Sequence, residues 1–248
     1  MKFSLITVCY NSANTIEDTF RSVLKQTYQN FEYIVIDGCS TDKTVELIKK
    51  YASIFHGKMR WISEKDNGIY DAMNKGIKMA SGDIIGIINS DDVFARSDAL
   101  SMIASAFLHH TCDAVYGDLE VRDENLKETH RLFIAKKGNY RLGWYPPHPT
   151  LYLKKSVYET FGFFDLKYRI AADYDFMIRI MKAKISFYYI PKVLVYMRSG
   201  GISTNGLSGY FANFKESCAV LRHNKVPLAF LVNLLRVFAT FKQMFFKI

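Results

Sequence analysis

Between residues 3 and 88 the chain lays down four short apolar runs, each closed by a polar cluster and separated from the next by helical spacing. Residues 3–9, 31–36, 59–62 and 83–88 read as strands. Between them, Ile16, Phe20, Val23 and Leu24 share a helical face, with Asn14 expected as the cap. Thr41 is expected to cap a helix to Lys50, and residues 70–80 read as a helix stopped by Gly82. This βαβαβαβ order predicts a parallel sheet with right-handed crossovers. Tyr10-Asn11, Asp37-Gly38-Cys39-Ser40, Lys65-Asp66-Asn67-Gly68 and Asn89-Ser90-Asp91-Asp92 all follow strands. They should therefore gather on one edge of the sheet, where α/β proteins place ligands.

The last of these clusters is the most chemical. An apolar run, Ile84 to Ile88, ends in two adjacent aspartates. Paired carboxylates near an apolar core are costly unless a cation neutralises them. Hard oxygen ligands suit Mg²⁺ or Mn²⁺, which often bridge to a substrate phosphate. A solvated turn, with an Asp cap for the helix after Ser97, is the plainer reading of the same residues.

The second half is less regular. Residues 113–116 and 131–135 look like strands, and Pro146-Pro147-His148-Pro149 is a rigid turn before a strand at 150–153. Residues 171–182 have helical spacing, and 185–196 read as a strand interrupted by Pro191. A loop opens at Gly200-Gly201, and a helix is expected from Gly209. Residues 227–248 are apolar and aromatic but carry Arg236, Lys242 and Lys247, which argues against a transmembrane span. A basic amphipathic helix lying on a membrane fits, as does a terminal helix packed on the domain or on a dimer partner.

With 248 residues, 49% of them hydrophobic, the chain can bury one large domain or a domain with an appendage. Its four cysteines form no C-x-x-C pair, as expected of reduced thiols in a cytoplasmic protein, and Tyr10-Asn11-Ser12 ends the first run too early for a signal peptide. The net charge of +9 suits an anionic membrane or phosphorylated substrates. No basic-aromatic or recognition-helix pattern supports a nucleic-acid partner. No G-x-G-x-x-G, P-loop or H-E-x-x-H occurs, so the chemistry falls to aspartates: Asp37, Asp91, Asp92, Asp173 and Asp175. Acids at strand ends suggest metal-assisted handling of a phosphate ester, with another carboxylate as base.

Taken in order, four segments resemble an inverting glycosyltransferase of family 2, with the GT-A fold, over roughly residues 3–205. They are Ser4-Leu5-Ile6-Thr7-Val8-Cys9-Tyr10-Asn11, Ile36-Asp37-Gly38-Cys39-Ser40-Thr41-Asp42, Asn89-Ser90-Asp91-Asp92 and Ala172-Asp173-Tyr174-Asp175, with Asn74-Lys75-Gly76 as a fifth mark. The resemblance implies an α/β fold: a mixed, mostly parallel central sheet flanked by helices, with C-terminal helices. It implies a nucleotide-sugar half over about 1–95, an acceptor half over about 96–205, and a membrane-associating helical segment at 206–248.

By that resemblance Asp173 is the catalytic base and Asp91 holds Mn²⁺ or Mg²⁺ on the donor diphosphate. Thr7, Tyr10, Asn11, Asp37, Asn74, Lys75 and Ser90 would contact the nucleotide sugar. Asp66, Asp92, His148 and Asp175 would contact the acceptor or support the site, and Gly200-Gly201-Ile202-Ser203 resembles a loop near the diphosphate. The chain departs from the family pattern in three places. Asn89 replaces the first acid of D-x-D, Ala172 the Glu before the base, and Met73 the Arg before Asn-x-Gly. Asp175 is then the expected partner carboxylate, and Lys75 or Lys65 the expected phosphate contact.

No Q-x-x-R-W motif and no string of transmembrane helices points to a processive synthase. The resemblance therefore implies one sugar moved per encounter. The sugar would pass from a UDP-sugar to a polyprenyl-diphosphate-linked glycan, in O-antigen, capsule or exopolysaccharide synthesis. The implied place is cytoplasmic, peripheral on the inner face of the cell membrane. Donor and linkage would depend on the pocket around Asp66, Tyr70, Trp144 and His148. Two other readings stand beside this one: an inactive sugar-nucleotide-binding relative, and a nucleotidyltransferase, whose Gly-rich loop is missing between Cys9 and Glu17.

Overall fold

A computed structural model describes residues 1–200 and 206–245, with side chains for 1–200 and 209–239. Its central strand, β1 (Phe3–Cys9), is buried along its whole length. Phe3, Leu5 and Cys9 pack on one side of the sheet, Ile6 and Val8 on the other. A strand buried on both faces is the signature of a parallel sheet covered by helices. β2 (Phe31–Asp37) and β4 (Ile84–Ile87) flank β1, and β3 (Met59–Ser63) flanks β2, all parallel. Connecting them are α1 (Ile16–Leu24), α2 (Thr44–Ile54) and α3 (Ile69–Met79).

The expected order therefore holds, while two helix starts move. α1 begins after Thr15 and receives no side-chain cap, so Asn14 does not cap it. α2 begins three residues beyond Thr41, at Thr44, whose N–H donates to Asp42 Oδ1 at 2.9 Å.

The remaining elements extend the sheet. They are β5 (Val93–Phe94), α4 (Ala99–His109), β6 (Ala114–Arg122), β7 (Thr129–Phe133), β8 (Tyr152–Lys154), α5 (Lys155–Phe161), α6 (Ala172–Lys182) and β9 (Phe187–Arg198). Two helices, α7 (Gly206–His223) and α8 (Ala229–Phe245), complete the described chain. Strand order is β3-β2-β1-β4-β8-β6-β9-β5, with β7 paired to β6. β8 is antiparallel to both β4 and β6, which makes the sheet mixed. β9 runs parallel to β6, and its register slips where Gly117 pairs Ile190 and Asp118 pairs Val193. Pro191 sits in that slip, where a missing N–H costs the ladder nothing.

α1, α2 and α4 cover one face of the sheet. α3, α5 and α6 cover the other, joined by Val220 and Leu221 of α7 and Val232 of α8. The C-terminal helices are thus a layer of the same core. Gly143 shows how closely: it has φ +83°, and a Cβ there would stand 2.6 Å from the Arg236 nitrogen of α8. Among the described residues no helix is long and apolar enough to cross a membrane.

One buried carboxylate laces four segments of the sheet together. Glu32 Oε1 accepts from Ser4 Oγ at 2.6 Å, Ser81 N at 2.7 Å and Ser81 Oγ at 2.8 Å. Its Oε2 pairs with Arg60 at 2.8 Å. Burial alone would raise the Glu32 pKa, but the Ser4 and Ser81 donors and the Arg60 charge outweigh it and hold the group at about 2. A folded pKa below the unfolded one adds stability above the unfolded value, which is lost as pH falls through the folded value. Glu32→Gln should therefore melt below the native protein at pH 7. The gap should close between pH 4.5 and about 2, and a melting-temperature series across that window checks it.

Candidate active site

The polar loops expected on one sheet edge do meet there. Asn11 N donates to Ser40 Oγ at 2.8 Å, and Asn11 Oδ1 accepts from Thr41 N at 2.8 Å. Ser12 Oγ lies 2.9 Å from Ser90 Oγ, tying the β1 loop to the β4 loop. Asn11 has φ +50°, a turn that asparagine tolerates better than most residues.

Several residues expected to contact a ligand are hydrogen-bonded within the protein beneath this rim. Asp37 is fully buried, and its oxygens accept from Ser40 N at 3.0 Å, Ser40 Oγ at 2.5 Å and Ser63 Oγ at 2.6 Å. Thr7 is also fully buried, and its hydroxyl donates to the Ile88 carbonyl at 2.8 Å and touches Tyr33 Oη. Asn74 clamps the backbone of Phe164 at 2.9 and 3.0 Å through its whole amide. Lys75 is spent on Glu64 at 2.9 Å and on the Lys65 carbonyl.

The open surface lies elsewhere on the rim. Tyr10 is 63% exposed. Beside it is Gly38, where a Cβ would come within 2.6 Å of Asp66 Oδ2 and 3.5 Å of the Tyr10 ring. Only a glycine admits the Asp66 carboxylate so close to the backbone. Asp66 Oδ1 accepts from Gly68 N at 2.9 Å, and its other oxygen faces the Gly38–Tyr10 floor.

At the end of β4, Asn89 Nδ2 donates to Asp92 Oδ2 at 3.0 Å. Asn89 Oδ1 and Asp92 Oδ1 are buried without a partner. Asp92 is 1% exposed, and burial, with the charge of Asp91 next, pushes its pKa well above the ordinary carboxylate range. Burial also raises Asp91, which stays half-buried on the rim. Arg198, 7% exposed, is the cation beside them. It donates to the Asp91 carbonyl at 3.3 Å, pairs with Asp18 and bonds the Glu124 carbonyl. Oxygen donors and an unmatched buried carboxylate suit a hard cation. Among the described residues, however, no three His, Cys, Asp or Glu side chains form a cage for one. A divalent ion here would depend on ligand oxygens for much of its shell. Of the expected Gly200-Gly201-Ile202-Ser203 loop, residues 201–203 lie outside the described residues.

Asp173 stands in the first turn of α6, where the helix dipole favours a carboxylate. The Tyr70 hydroxyl lies 2.8 Å from Asp173 Oδ1 and 2.7 Å from the Ile170 carbonyl. Burial, then the Asp173 charge, raises the Tyr70 pKa well above its ordinary value, so the phenol keeps its proton. Asp173 Oδ2 has no partner among the described residues. The Asp173 charge reaches His148, but burial dominates and lowers the imidazole pKa, so the ring is neutral at pH 7. Asp175 does not join this group. It is 1% exposed and is held by Arg179 at 2.9 Å and Asn224 at 2.8 Å, inside the α6–α7 contact. Two residues along a helix turn through about 200°, which is why the partner carboxylate expected there faces away.

Two residues that sequence reasoning missed complete the site. One is Arg198. The other is Glu216 of α7, whose carboxylate accepts from the backbone N–H groups of Arg169 at 3.1 Å, Ile170 at 2.8 Å and Ala171 at 3.0 Å. It thereby fixes the segment that leads directly into Asp173.

Comparison with known proteins bears on this arrangement. The profile of the family described as Glycosyl transferase family 2 matches residues 4–179. A PGL/p-HBAD biosynthesis glycosyltransferase of Mycobacterium bovis is 30% identical over 210 residues, covering 81% of this chain and 78% of that protein. A putative teichuronic acid biosynthesis glycosyltransferase, TuaG of Bacillus subtilis, is 33% identical over 109 residues, 44% of this chain and 43% of that protein. Among solved structures, S. aureus TarS 1–349 in complex with UDP-GlcNAc superposes with a TM-score of 0.70 at 20% identity. It covers 96% of this chain and 73% of that one.

The Glu216 clamp predicts a local effect. Glu216→Gln replaces one of the two accepting oxygens by an NH₂ that cannot accept an N–H, at a cost of about 1–3 kcal/mol. Hydrogen exchange at Ile170 and Ala171 should quicken relative to the Phe3–Cys9 strand, and unchanged protection at those two amides would refute the clamp.

Proposed function

The chain belongs to glycosyltransferase family 2 and has the GT-A fold. We propose that it is an inverting, non-processive transferase that moves one sugar from a UDP-sugar to a hydroxyl of a lipid-linked surface glycan. One observation carries this reading: Asp173 is held through one oxygen by Tyr70, and its other oxygen has no partner among the described residues, beside a neutral His148. A carboxylate so placed can take the proton of an acceptor hydroxyl.

In the reaction, the acceptor oxygen attacks the anomeric carbon as its proton passes to Asp173 Oδ2. The bond from the anomeric carbon to the diphosphate breaks, and UDP leaves with the electron pair. A single in-line displacement inverts the centre. A positioned base typically contributes about 10²–10⁴-fold. Tyr70, by bonding Oδ1, leaves the second oxygen as the acceptor of that proton.

On the donor side, Asp66 rather than Asp37 is the residue we assign to the base. Its Oδ2 lies over bare Gly38 beside exposed Tyr10, whereas the Asp37 oxygens are consumed inside the loop. A carboxylate there can accept from the uracil N–H while Tyr10 supplies a stacking face. Asp91 would hold Mn²⁺ or Mg²⁺, and such an ion would supply charge neutralisation for the leaving diphosphate. Arg198 adds a permanent positive charge to the same end of the site.

The acceptor assignment draws on the C-terminal helices. Phe211, Leu228, Phe230, Leu231, Leu235 and Phe238 are exposed there, and Lys215, Arg222 and Lys225 stand among them. An apolar face with basic residues suits a peripheral contact with an anionic membrane, where lipid-linked acceptors reside. The relatives named for PGL/p-HBAD and teichuronic acid biosynthesis support a surface-glycan role.

UDP release from a panel of UDP-sugars, with Mn²⁺ and a polyprenyl-diphosphate sugar, tests the whole reading. Asp173→Asn should lose about 10²–10⁴-fold in turnover while UDP binding persists. Full turnover in that variant would remove Asp173 as the base, and indifference to EDTA would remove the metal. Asp66→Asn should weaken UDP binding by about tenfold, read by calorimetry, because an accepted N–H would be lost.

A further inference from the structure

Beyond the donor cleft, one half-buried arginine among the described residues has a buried nitrogen without a hydrogen-bond partner. Arg131 lies in β7 opposite Val121 of β6. Its Nε is buried and unbonded, and burial depresses its pKa with no carboxylate near enough to oppose it. Of the other inward-turned arginines, Arg122, Arg179 and Arg198 pair with Glu120, Asp175 and Asp18, and Arg236, over the Tyr174 ring, bonds Asn213, Ser217 and Asn233. The titratable groups that face Arg131 are the phenols of Tyr145 and Tyr210. A half-buried guanidinium whose buried Nε is unbonded carries a desolvation cost, and a ligand that accepts would offset it.

The neighbourhood names the kind of partner. Tyr145 packs on Tyr174 with ring centroids 5.1 Å apart, and the Tyr174 hydroxyl is buried without a partner. Trp144 Nε1 and the hydroxyl of Tyr116, whose ring lies 5.7 Å from Trp144, are likewise unbonded. A guanidinium, an indole N–H and two phenols thus share one aromatic layer with nothing to donate to. What is missing is a group that only accepts, which is the nature of a phosphate.

The layer also adjoins the chemistry. Tyr174 follows Asp173 in the chain, and Trp144-Tyr145 precede His148 by a few residues. On its other side the layer runs to Tyr210 and the exposed Phe211 of α7, whose Phe214 contacts Phe230 of α8 at 5.7 Å. We propose that Arg131, with Tyr145 and Tyr210, anchors a subsite for the phosphate or diphosphate of the acceptor. The acceptor's sugar hydroxyl then reaches Asp173 on one side, and its lipid tail leaves over Phe211 on the other. This rests on the transferase reading above and specifies the part of the acceptor that the protein recognises.

Farnesyl diphosphate is a soluble probe of that chemistry, and the fluorescence of Trp144 reports on it. The native protein should bind it saturably, with inorganic pyrophosphate competing and farnesol failing to compete. Arg131→Gln should weaken binding by about tenfold or more, and Arg131→Lys by less, since lysine keeps the charge but loses the fork. UDP affinity, titrated in parallel, should be the same in all three. If Arg131→Gln does not melt cooperatively, the Arg131→Lys and pyrophosphate arms decide the matter. Equal binding of farnesyl diphosphate by native and Arg131→Gln proteins overturns the subsite. So does a native protein that binds UDP but not the probe. A deficit confined to phosphatidylglycerol vesicles, with the soluble probe unaffected, also overturns it, because Arg131 would then be meeting membrane headgroups. A native protein that binds neither UDP nor the probe removes the donor reading, and this proposal with it.

Discussion

A carboxylate with no exposure to water organises the rim of this sheet. Asp37 ends β2 at a depth where an ion must be matched by donors, and three oxygen–donor contacts from Ser40 and Ser63 do so. Those bonds fold the β2 loop back on itself and fasten it to the end of β3. The same loop then receives Asn11 from β1 through Ser40 and Thr41. The bare Gly38 floor, the seat of Asp66 and the exposure of Tyr10 all follow from where that turn is held.

The site is built in two halves that meet through α3. Its entrance loop carries Asp66, its first turn carries Tyr70, and Asn74 one turn on grips the backbone of Phe164. From there the chain runs to Asp173, with Glu216 of α7 holding the residues just before it. Asp173 is therefore positioned from two sides, by α3 and by a helix of the C-terminal layer.

The alternation of strands and helices up to β4 was plain in the sequence, because periods of apolar residues survive any detail of packing. β5, a strand of two residues, and α5, a helix of seven, were not, since each is too short to show its period. The resemblance pointed to segments that the structure brings together, but could not tell which of their side chains are buried. Thr7 and Asp37 sit in those segments and point inward, and Asp175 turns away from Asp173 by the geometry of the helix. Glu216 left no trace because its partners are backbone N–H groups 45 to 47 residues earlier. Arg131 left none because a missing partner is visible only once the neighbours are placed.

The contact at Gly143 has a mechanical meaning. The backbone of α8 rests directly on that glycine, with no side chain between to act as a cushion. The segment that follows carries Trp144, Tyr145 and His148, and so cannot shift without moving the helix whose outer face bears Phe230, Leu231 and Phe238. On the membrane reading, the height of the base above the bilayer is set by rigid backbone rather than by a tether. The molecule then measures its acceptor as a caliper does, accepting a hydroxyl at one fixed distance from the lipid surface.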